Sequence, residues 1–418
     1  LPDAIAASTP RVLVLDYANP EYARKQPERW KQALGNVPFV VPNVLPPWGG
    51  SMAGGSTGWA DASTIVPWNT YLAYGDTRLL ENQYESMKAW VGYMEKQAGD
   101  DYLWDTGFHF GDWLFYSVND DRDGASAITD KYFLTQAFFA HSTDLVRRTA
   151  EVLGKKEDAA RYAALLEKVK AAFQKEHVTA SGRLSSATQT AYVLALAFDL
   201  LPENLRQQAA DRLVENIRRY NSHLTTGFLG TPHINHVLTH FGYPEVAYEL
   251  LLQETYPSWL YPVKMGATTI WERWDGIKPD STFQEKSMNS FNHYAYGAIG
   301  DWLYRTVAGI ELDEAQPGYK HFFLQPQPGG GLTSAKAWHL SPLGKIESDW
   351  AIEGGKLRLR VVVPANATAT VRLPKAAVGQ VTEGGKALGQ GNGVRSFRQV
   401  GEGVEIEIGS GEFVFVKN

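Results

Sequence analysis

The sequence predicts a mainly α-helical protein: an (α/α)6 toroid that is incomplete at its N-terminus, followed by an antiparallel β-sandwich domain. Two observations lead to this prediction. Apolar residues recur at helical spacing up to residue 312, and short alternating runs separated by glycines take over from Asp313. The predicted domains are therefore residues 1–312 and 313–418, which suits a chain of 418 residues because that length exceeds one average domain.

The helical part consists of repeated αα-hairpins. In each hairpin, an apolar inner helix such as residues 192–198 precedes a short turn and an amphipathic outer helix with apolar residues at i, i+3, i+4 and i+7. The turns lie at residues 74–76, 153–155, 201–203 and 242–244. Such hairpins can close into a ring of six, but only about nine or ten helices are recognisable. The missing hairpin falls at the front, where residues 22–34 form a helix candidate that Pro27 interrupts.

The β-sandwich is indicated by runs in which apolar and polar residues alternate with period two. These runs begin at Lys356, Ala367, Val404 and Glu412. Glycines at 354–355, 384–385 and 391–393 separate the runs, as the turns of antiparallel strands require.

Three long segments between helices are rich in polar and aromatic side chains: residues 42–62, 99–130 and 255–290. Loops of this length without secondary structure are uncommon unless they build a site. We therefore expect the functional residues to lie in these three segments.

Composition excludes several classes of function. Lys and Arg are scattered and the net charge is -6, which argues against a nucleic-acid partner. No apolar run approaches the roughly 20 residues of a membrane span, and residues 1–10 lack the basic and apolar regions of a signal peptide. The chain has no cysteine, which excludes disulfides and thiolate chemistry and slightly favours a cytoplasmic location over a periplasmic or secreted one. The oligomeric state is not indicated.

The aromatic content points towards carbohydrate. The chain contains 13 Trp, 20 Tyr and 18 Phe residues, and Trp is well above ordinary usage. Aromatic faces pack against the C–H patches of sugar rings, although a large helical core also uses aromatic residues.

The densest candidate site lies at residues 266–275, where Glu272 stands between Trp271 and the pair Arg273 and Trp274. Indoles can bind a pyranose, and a carboxylate can act on water or on a glycosidic oxygen. A neighbouring guanidinium keeps such a carboxylate ionised, which suits a general base. The alternative is a buried Glu–Arg pair in a Trp-rich core.

Two further clusters place a carboxylate beside an indole. Asp61 follows Trp59 by two residues at the start of a helix predicted over residues 62–74, and Asp112 directly precedes Trp113. His293 adds an imidazole at the start of a helix predicted to run to residue 308. Each cluster alone has a simpler interpretation, since an Asp often caps a helix, but together they indicate sugar recognition.

His233, His236 and His240 can share one helix face, but no adjacent glutamate completes a His-Glu-x-x-His zinc motif. A polar inner helix is the preferred interpretation, so no metal is expected. The sequence also lacks a phosphate-binding loop, a Gly-x-Ser-x-Gly elbow and a dinucleotide fingerprint.

As a set, these motifs resemble the α-L-rhamnosidases of glycoside hydrolase family 78. The matching segments are Trp59-Ala-Asp-Ala, Ile65-Val-Pro-Trp, Tyr74-Gly-Asp, Phe110-Gly-Asp-Trp-Leu, Thr268-Thr-Ile-Trp-Glu-Arg-Trp-Asp, Asn292-His-Tyr-Ala-Tyr-Gly-Ala, Gly331-Leu-Thr-Ser-Ala and Ser341-Pro-Leu-Gly-Lys-Ile. The resemblance runs from about residue 37 to the end of the chain.

The resemblance implies an (α/α)6 barrel that hydrolyses terminal α-L-rhamnosides with inversion and without a cofactor. It gives Glu272 the role of general base. Trp59, Asp61, Trp113 and His293 match positions that contact rhamnose in the family. Asp112, Trp271 and Arg273 are added to the candidate substrate-binding residues from their local chemistry alone.

One departure from the family is that residues 1–36 lack the acidic stretch that carries its general acid. The chain is then a fragment, or has a replaced N-terminus, or uses another carboxylate. Two other functions stay open beside the rhamnosidase: a toroid glycosidase for a different terminal sugar, and a catalytically silent sugar-binding protein. Aryl glycosides of different sugars distinguish among these possibilities.

Overall fold

Ten α-helices form the first part of the described chain. The computed structural model describes residues 55–116 and 127–417. The helices are α1 (Ala62–Tyr74), α2 (Thr77–Ala98), α3 (Lys131–Val152), α4 (Lys156–His177), α5 (Gln189–Ala197), α6 (Glu203–Arg219), α7 (Thr231–His240), α8 (Pro244–Leu252), α9 (Leu260–Lys264) and α10 (Ile299–Trp302).

Inner and outer helices alternate, as the hairpin pattern predicts. The α3, α5 and α7 helices contact one another in succession, and each also packs against the helix that follows it. The apolar helix α5 is buried from Gln189 to Leu196, whereas the outer helix α6 buries one side only and exposes the rest. A helix that is apolar all round needs protein on every side, so α5 is an inner helix, and its contacts with α3 and α7 place these two beside it in the same layer.

The ends of these helices follow from local sequence. Asp130 begins α3 because its carboxylate accepts hydrogen bonds from the N–H groups of Tyr132 and Phe133, both at 2.9 Å. Thr188 caps α5 in the same way through Ala191. A proline stands in the first turn of both α7 and α8, where its missing N–H has no helical partner to lose.

The predicted outer helices and the helix over residues 62–74 are confirmed at the expected positions. The segment 255–290 differs from the prediction of a loop without secondary structure, because it contains the short helix α9. A run of only five residues is too short to show helical periodicity in the sequence. The helix candidate at residues 22–34 lies outside the described residues, as do most of segment 42–62 and residues 117–126.

Two β-sheets make up the second part of the chain. The strands are β1 (Ile310–Leu312), β2 (His321–Leu324), β3 (Ser334–Ser341), β4 (Gly344–Glu353), β5 (Lys356–Val363), β6 (Thr368–Leu373), β7 (Val381–Glu383), β8 (Lys386–Ala387), β9 (Val394–Val400), β10 (Gly403–Ile408) and β11 (Gly411–Lys417). One sheet has the order β1-β2-β6-β10-β9, and the other has the order β3-β4-β5-β11-β7-β8.

The four predicted strand runs correspond to β5, β6, β10 and β11, which confirms the β-sandwich. Their alternation sends one set of side chains into the core, as with Val404, Ile406 and Ile408 of β10. One strand pair corrects the expectation of a wholly antiparallel sandwich: β2 and β6 are parallel, with Phe322 opposite Ala369. These two strands are joined through three strands of the other sheet, so they need not reverse direction as hairpin partners do.

The described residues divide into two compact units. One contains residues 55–69 together with Thr77–Gly297, and the other contains Thr70–Asp76 together with the residues from Ala298 onward. The domain boundary predicted at Asp313 stays a prediction. Within the described ranges, no helix has the length and apolar character that a membrane span needs.

Candidate functional site

Two segments far apart in the sequence run side by side at the candidate site. The N–H of Glu272 donates to the carbonyl of Ser290 at 2.8 Å, and the N–H of His293 donates to the carbonyl of Ile270 at 3.0 Å. These two backbone hydrogen bonds bring the segment of Glu272 beside that of His293. The two candidate residues therefore belong to one local structure.

The carboxylate of Glu272 accepts a hydrogen bond from the N–H of Ser290 at 2.8 Å. This side chain is half-buried, so part of it remains open to solvent. A backbone donor on one oxygen fixes the orientation of the group while its other oxygen stays available, which is what a general base needs.

The two indoles that flank Glu272 are covered by other aromatic rings. Trp271 is 4% exposed and meets Phe291 edge to face at 5.2 Å. Trp274 is also 4% exposed and stacks on Tyr296 at 3.8 Å. Both indoles thus support the loop from within, and the role of Trp271 in substrate binding stays a prediction.

The guanidinium of Arg273 pairs with Asp275, with a distance of 3.2 Å from Nε to the carboxylate. The amide of Gln284 donates to the other oxygen of Asp275 at 2.5 Å. The carboxylate that Arg273 engages is therefore Asp275, two residues further along the chain. This partner differs from the Glu272 that the sequence predicts.

Trp59 and Trp113 lie in one aromatic cluster. The ring of Phe110 lies 4.8 Å from that of Trp59 and 5.7 Å from that of Trp113, measured between centroids. Both indoles are half-buried, so each retains accessible surface. The structure thus brings two of the predicted sugar-contacting indoles together through a phenyl ring.

Phe228, which sequence reasoning missed, joins this cluster to His293. Its N–H donates to the carbonyl of Trp113 at 2.9 Å. Its ring stacks on the imidazole of His293 at 5.1 Å, with an angle of 29° between the planes. The signal in the sequence was slight: a Gly-Phe-Leu-Gly segment at residues 227–230, directly before α7.

Asp61 is completely buried, and its carboxyl group is held by internal donors. It accepts hydrogen bonds from Gly58 N–H at 2.7 Å, Trp90 Nε1 at 2.9 Å and the Ser142 hydroxyl at 2.5 Å. Burial raises the pKa of Asp61 to about 6, against these hydrogen bonds, which lower it. The donors come from outside the first turn of α1, so this carboxyl is no ordinary helix cap.

Asp112 is likewise buried, with 4% exposure. Its carboxyl group accepts from the hydroxyl of Thr190 and from the N–H groups of Gly227, Leu229 and Gly230. Burial raises the pKa of Asp112, and the four hydrogen bonds oppose this rise. Direct contact of Asp61 or Asp112 with substrate stays a prediction.

The three histidines lie on α7 as predicted. His233 makes an edge contact with Phe198 at 5.3 Å. No group of three or more His, Cys, Asp or Glu side chains suited to a metal ion occurs in the part of the chain that the structure describes. The expectation that no metal binds stays a prediction.

These contacts define what the site can do. A half-buried carboxylate oriented by a backbone N–H lies on a segment that pairs with that of an imidazole, and Phe228 connects the imidazole to two indoles. Carboxylates accept protons from water, and indoles bind the apolar faces of sugars. Such a site, carried by inner helices paired with outer ones, has the residue types that hydrolysis of a glycosidic bond requires.

Comparison with known families specifies the class further. Residues 20–307 match the family described as bacterial alpha-L-rhamnosidase 6 hairpin glycosidase domain. Residues 309–388 match the bacterial alpha-L-rhamnosidase C-terminal domain. The chain belongs to the bacterial α-L-rhamnosidase family.

Individual relatives agree with this assignment. An α-L-rhamnosidase of Streptomyces avermitilis is 46% identical over 325 residues, which are 78% of this chain and 30% of the relative. Another from Formosa agariphila is 44% identical over 343 residues, 81% of this chain and 36% of the relative. The chain thus spans about a third of the length of these relatives.

Solved structures give the same result. The crystal structure of the Streptomyces avermitilis α-L-rhamnosidase complexed with L-rhamnose matches 94% of this chain and 36% of its own, with a TM-score of 0.82 and 40% identity. The native α-L-rhamnosidase of Aspergillus terreus matches 99% of this chain and 45% of its own, with a TM-score of 0.79 and 32% identity.

Proposed function

We propose that this chain is the catalytic part of an α-L-rhamnosidase, which releases terminal α-L-rhamnose from rhamnosides with inversion, and that Glu272 is the general base. The observation that carries the proposal is the half-buried carboxylate of Glu272, hydrogen-bonded by Ser290 N–H on the segment that continues to His293. Membership of the bacterial α-L-rhamnosidase family supports the choice of sugar. The L-rhamnose in the related Streptomyces avermitilis structure supports it as well.

In this proposal Glu272 takes a proton from a water molecule, which attacks the anomeric carbon on the face opposite the leaving oxygen. The C–O bond to the aglycone breaks, and the sugar leaves with inverted configuration. A general acid, roughly 6.5–9.5 Å from the base, protonates the leaving oxygen in such a mechanism.

In this proposal two indoles and an imidazole surround the sugar. Trp59 and Trp113 provide aromatic faces, and His293 hydrogen-bonds a hydroxyl group. Trp271 and the Arg273–Asp275 pair support the loop that holds Glu272.

The substitution Glu272→Gln tests the role of this residue. The amide keeps the shape of the side chain but cannot take a proton, so kcat on an aryl α-L-rhamnoside should fall at least ~100-fold. Binding of L-rhamnose, measured by calorimetry, should persist. Glu254→Gln is the matched control, because Glu254 is exposed and pairs with Lys264. Equal activity of Glu272→Gln and the parent chain would show that another residue is the base.

Product analysis tests the stereochemistry and the position of Glu272 at the sugar. Proton NMR of a fresh reaction should detect β-L-rhamnose before mutarotation, since inversion converts an α-glycoside into the β-sugar. In Glu272→Ala, azide should restore turnover and give the β-L-rhamnosyl azide. First-formed α-L-rhamnose would contradict inversion, and a panel of other aryl glycosides identifies a different sugar preference.

A further inference from the structure

We infer that Asp112 is a positioning residue: it fixes the loop of residues 227–230, and this clamp loop holds Trp113 and His293 in place for the sugar. The part of this inference that concerns the sugar rests on the proposed function. It differs from the direct sugar contact that the sequence predicts for Asp112.

The carboxylate of Asp112 is engaged by donors from the clamp loop and from Thr190. One carboxylate oxygen accepts from Leu229 N–H at 2.8 Å and Gly230 N–H at 3.2 Å. The other accepts from Gly227 N–H at 2.7 Å and from the Thr190 hydroxyl. A carboxylate has about four acceptor positions, so these four donors leave none for a sugar hydroxyl.

The backbone of the clamp loop also lies unusually close to the backbone of residues 112–113. A Cβ atom on Gly227 would lie 2.3 Å from the carbonyl oxygen of Trp113 and 2.6 Å from that of Asp112. Only glycine fits at this distance, so the clamp loop lies directly against the backbone of residues 112–113. Any movement of the loop must therefore move Trp113 or break this contact.

Phe228 connects the clamp loop to both Trp113 and His293. Its N–H binds the carbonyl of Trp113 and its ring stacks on His293 and meets Tyr296 at 5.3 Å. The hydroxyl of Tyr296 donates to the carbonyl of Leu114 at 2.6 Å, so the ring of Tyr296 is also attached to the segment that contains Trp113. Asp112 thus acts on two proposed sugar-contacting residues through one side chain.

Four variants test the clamp. In Asp112→Asn, an NH2 group replaces one carboxylate oxygen and faces the donors that this oxygen bound, so the hydrogen bonds on that side are lost while the remaining oxygen still accepts. Phe228→Leu keeps an apolar side chain but removes the stack on His293, and Phe228→Tyr restores an aromatic ring. Thr190→Val removes one of the four donors and should have a small effect.

The first readout is the imidazole resonance of His293 in protein labelled at histidine, assigned by its loss in His293→Gln. Asp112→Asn and Phe228→Leu should both move this resonance, Phe228→Tyr should return it towards the parent position, and His321 in β2 should stay unchanged. This measurement needs no sugar. A His293 resonance that does not respond to Asp112→Asn overturns the inference, and if Asp112→Asn fails to fold, a His293 resonance that does not respond to Thr190→Val overturns it instead.

The second readout is the dissociation constant of L-rhamnose. Misplacement of binding groups should weaken binding by about 10- to 100-fold in Asp112→Asn and in Phe228→Leu. The double variant should bind L-rhamnose no more weakly than the weaker-binding single variant, because both changes act through the same loop. Additive effects would instead favour a separate sugar contact for Asp112 and overturn the inference. A parent chain that binds no L-rhamnose, with His293 still responding, would contradict the proposed function alone.

Discussion

Asp61 and Asp112 both stand close to an indole in the sequence, and both turn their carboxyl groups into the protein. Asp61 holds Gly58, next to Trp59, and Asp112 holds the clamp loop against Trp113. Burial without a cation is unfavourable for an ionised carboxylate, and hydrogen bonds offset only part of this penalty. At the residue scale, each of these two buried acids therefore holds backbone N–H groups close to an indole of the candidate site.

The pH dependence of the free energy of unfolding should show the raised pKa of Asp61. Folding raises its pKa from 3.8 to about 6, so the native state binds more protons than the unfolded state between these values. Its contribution to stability is then fully present below pH 3.8 and is lost as the pH rises through about 6. We expect the free energy of unfolding of the parent chain to fall over this window relative to that of Asp61→Asn.

Urea denaturation at several pH values measures this difference directly. Comparison with the Asn variant cancels the titration of other groups, such as Glu347, whose pKa is lowered to about 2 by Lys345 and Arg360. A difference that rises with pH would contradict the assignment.

At the element scale, the inner helices carry the apolar core of the helical unit. Leu194 lies in the middle of α5 with no exposed surface. The outer helices expose one side and contribute a narrower apolar stripe. The same substitution should therefore have very different effects in the two kinds of helix.

Leu194→Ala should lower the free energy of unfolding by about 2–5 kcal/mol, because it removes buried methyl groups and leaves a cavity. Leu252→Ala at the end of α8 is the matched control, since Leu252 is 38% exposed and should cost less than about 1 kcal/mol. Chemical denaturation followed by far-UV circular dichroism compares the two. Similar losses for both variants would show that α5 is less tightly packed than the structure indicates.

At the scale of the whole molecule, this chain spans about a third of the length of its relatives. The base proposed at Glu272 and the rhamnose-contacting candidates lie within it, whereas the resemblance to the family predicts no match for its general acid within residues 1–36. Hydrolysis by the isolated chain should therefore depend strongly on the leaving group.

We expect the isolated 418-residue chain to cleave a nitrophenyl α-L-rhamnoside far better than an alkyl or glycosyl rhamnoside. General acid catalysis supplies typically 10²–10⁴-fold, and a good leaving group needs it least. The ratio of kcat/KM for the two substrates measures the effect. Full activity on natural rhamnosides would show that a carboxyl group within this chain acts as the acid.

The local chemistry and periodicity of the sequence predicted much of this protein's secondary structure and its family. The four outer helices, the apolar inner helices, the β-sandwich strands and the family followed from patterns of three to ten residues, because such patterns fix secondary structure and faces of burial. Glu272, Trp59, Trp113 and His293 were also predicted in this way, as the residue types that sugar chemistry requires, and their roles stay predictions.

The tertiary structure alone decided which groups meet. It pairs Arg273 with Asp275 and packs the ring of Phe291 against Trp271. It also places Phe228 between Trp113 and His293. It also buried Asp61 and Asp112 against donors from Ser142, Thr190 and the clamp loop. Hydrogen bonds and ring contacts between residues up to 182 positions apart leave no periodic pattern in the sequence, since they depend on how the helices and loops come together in space.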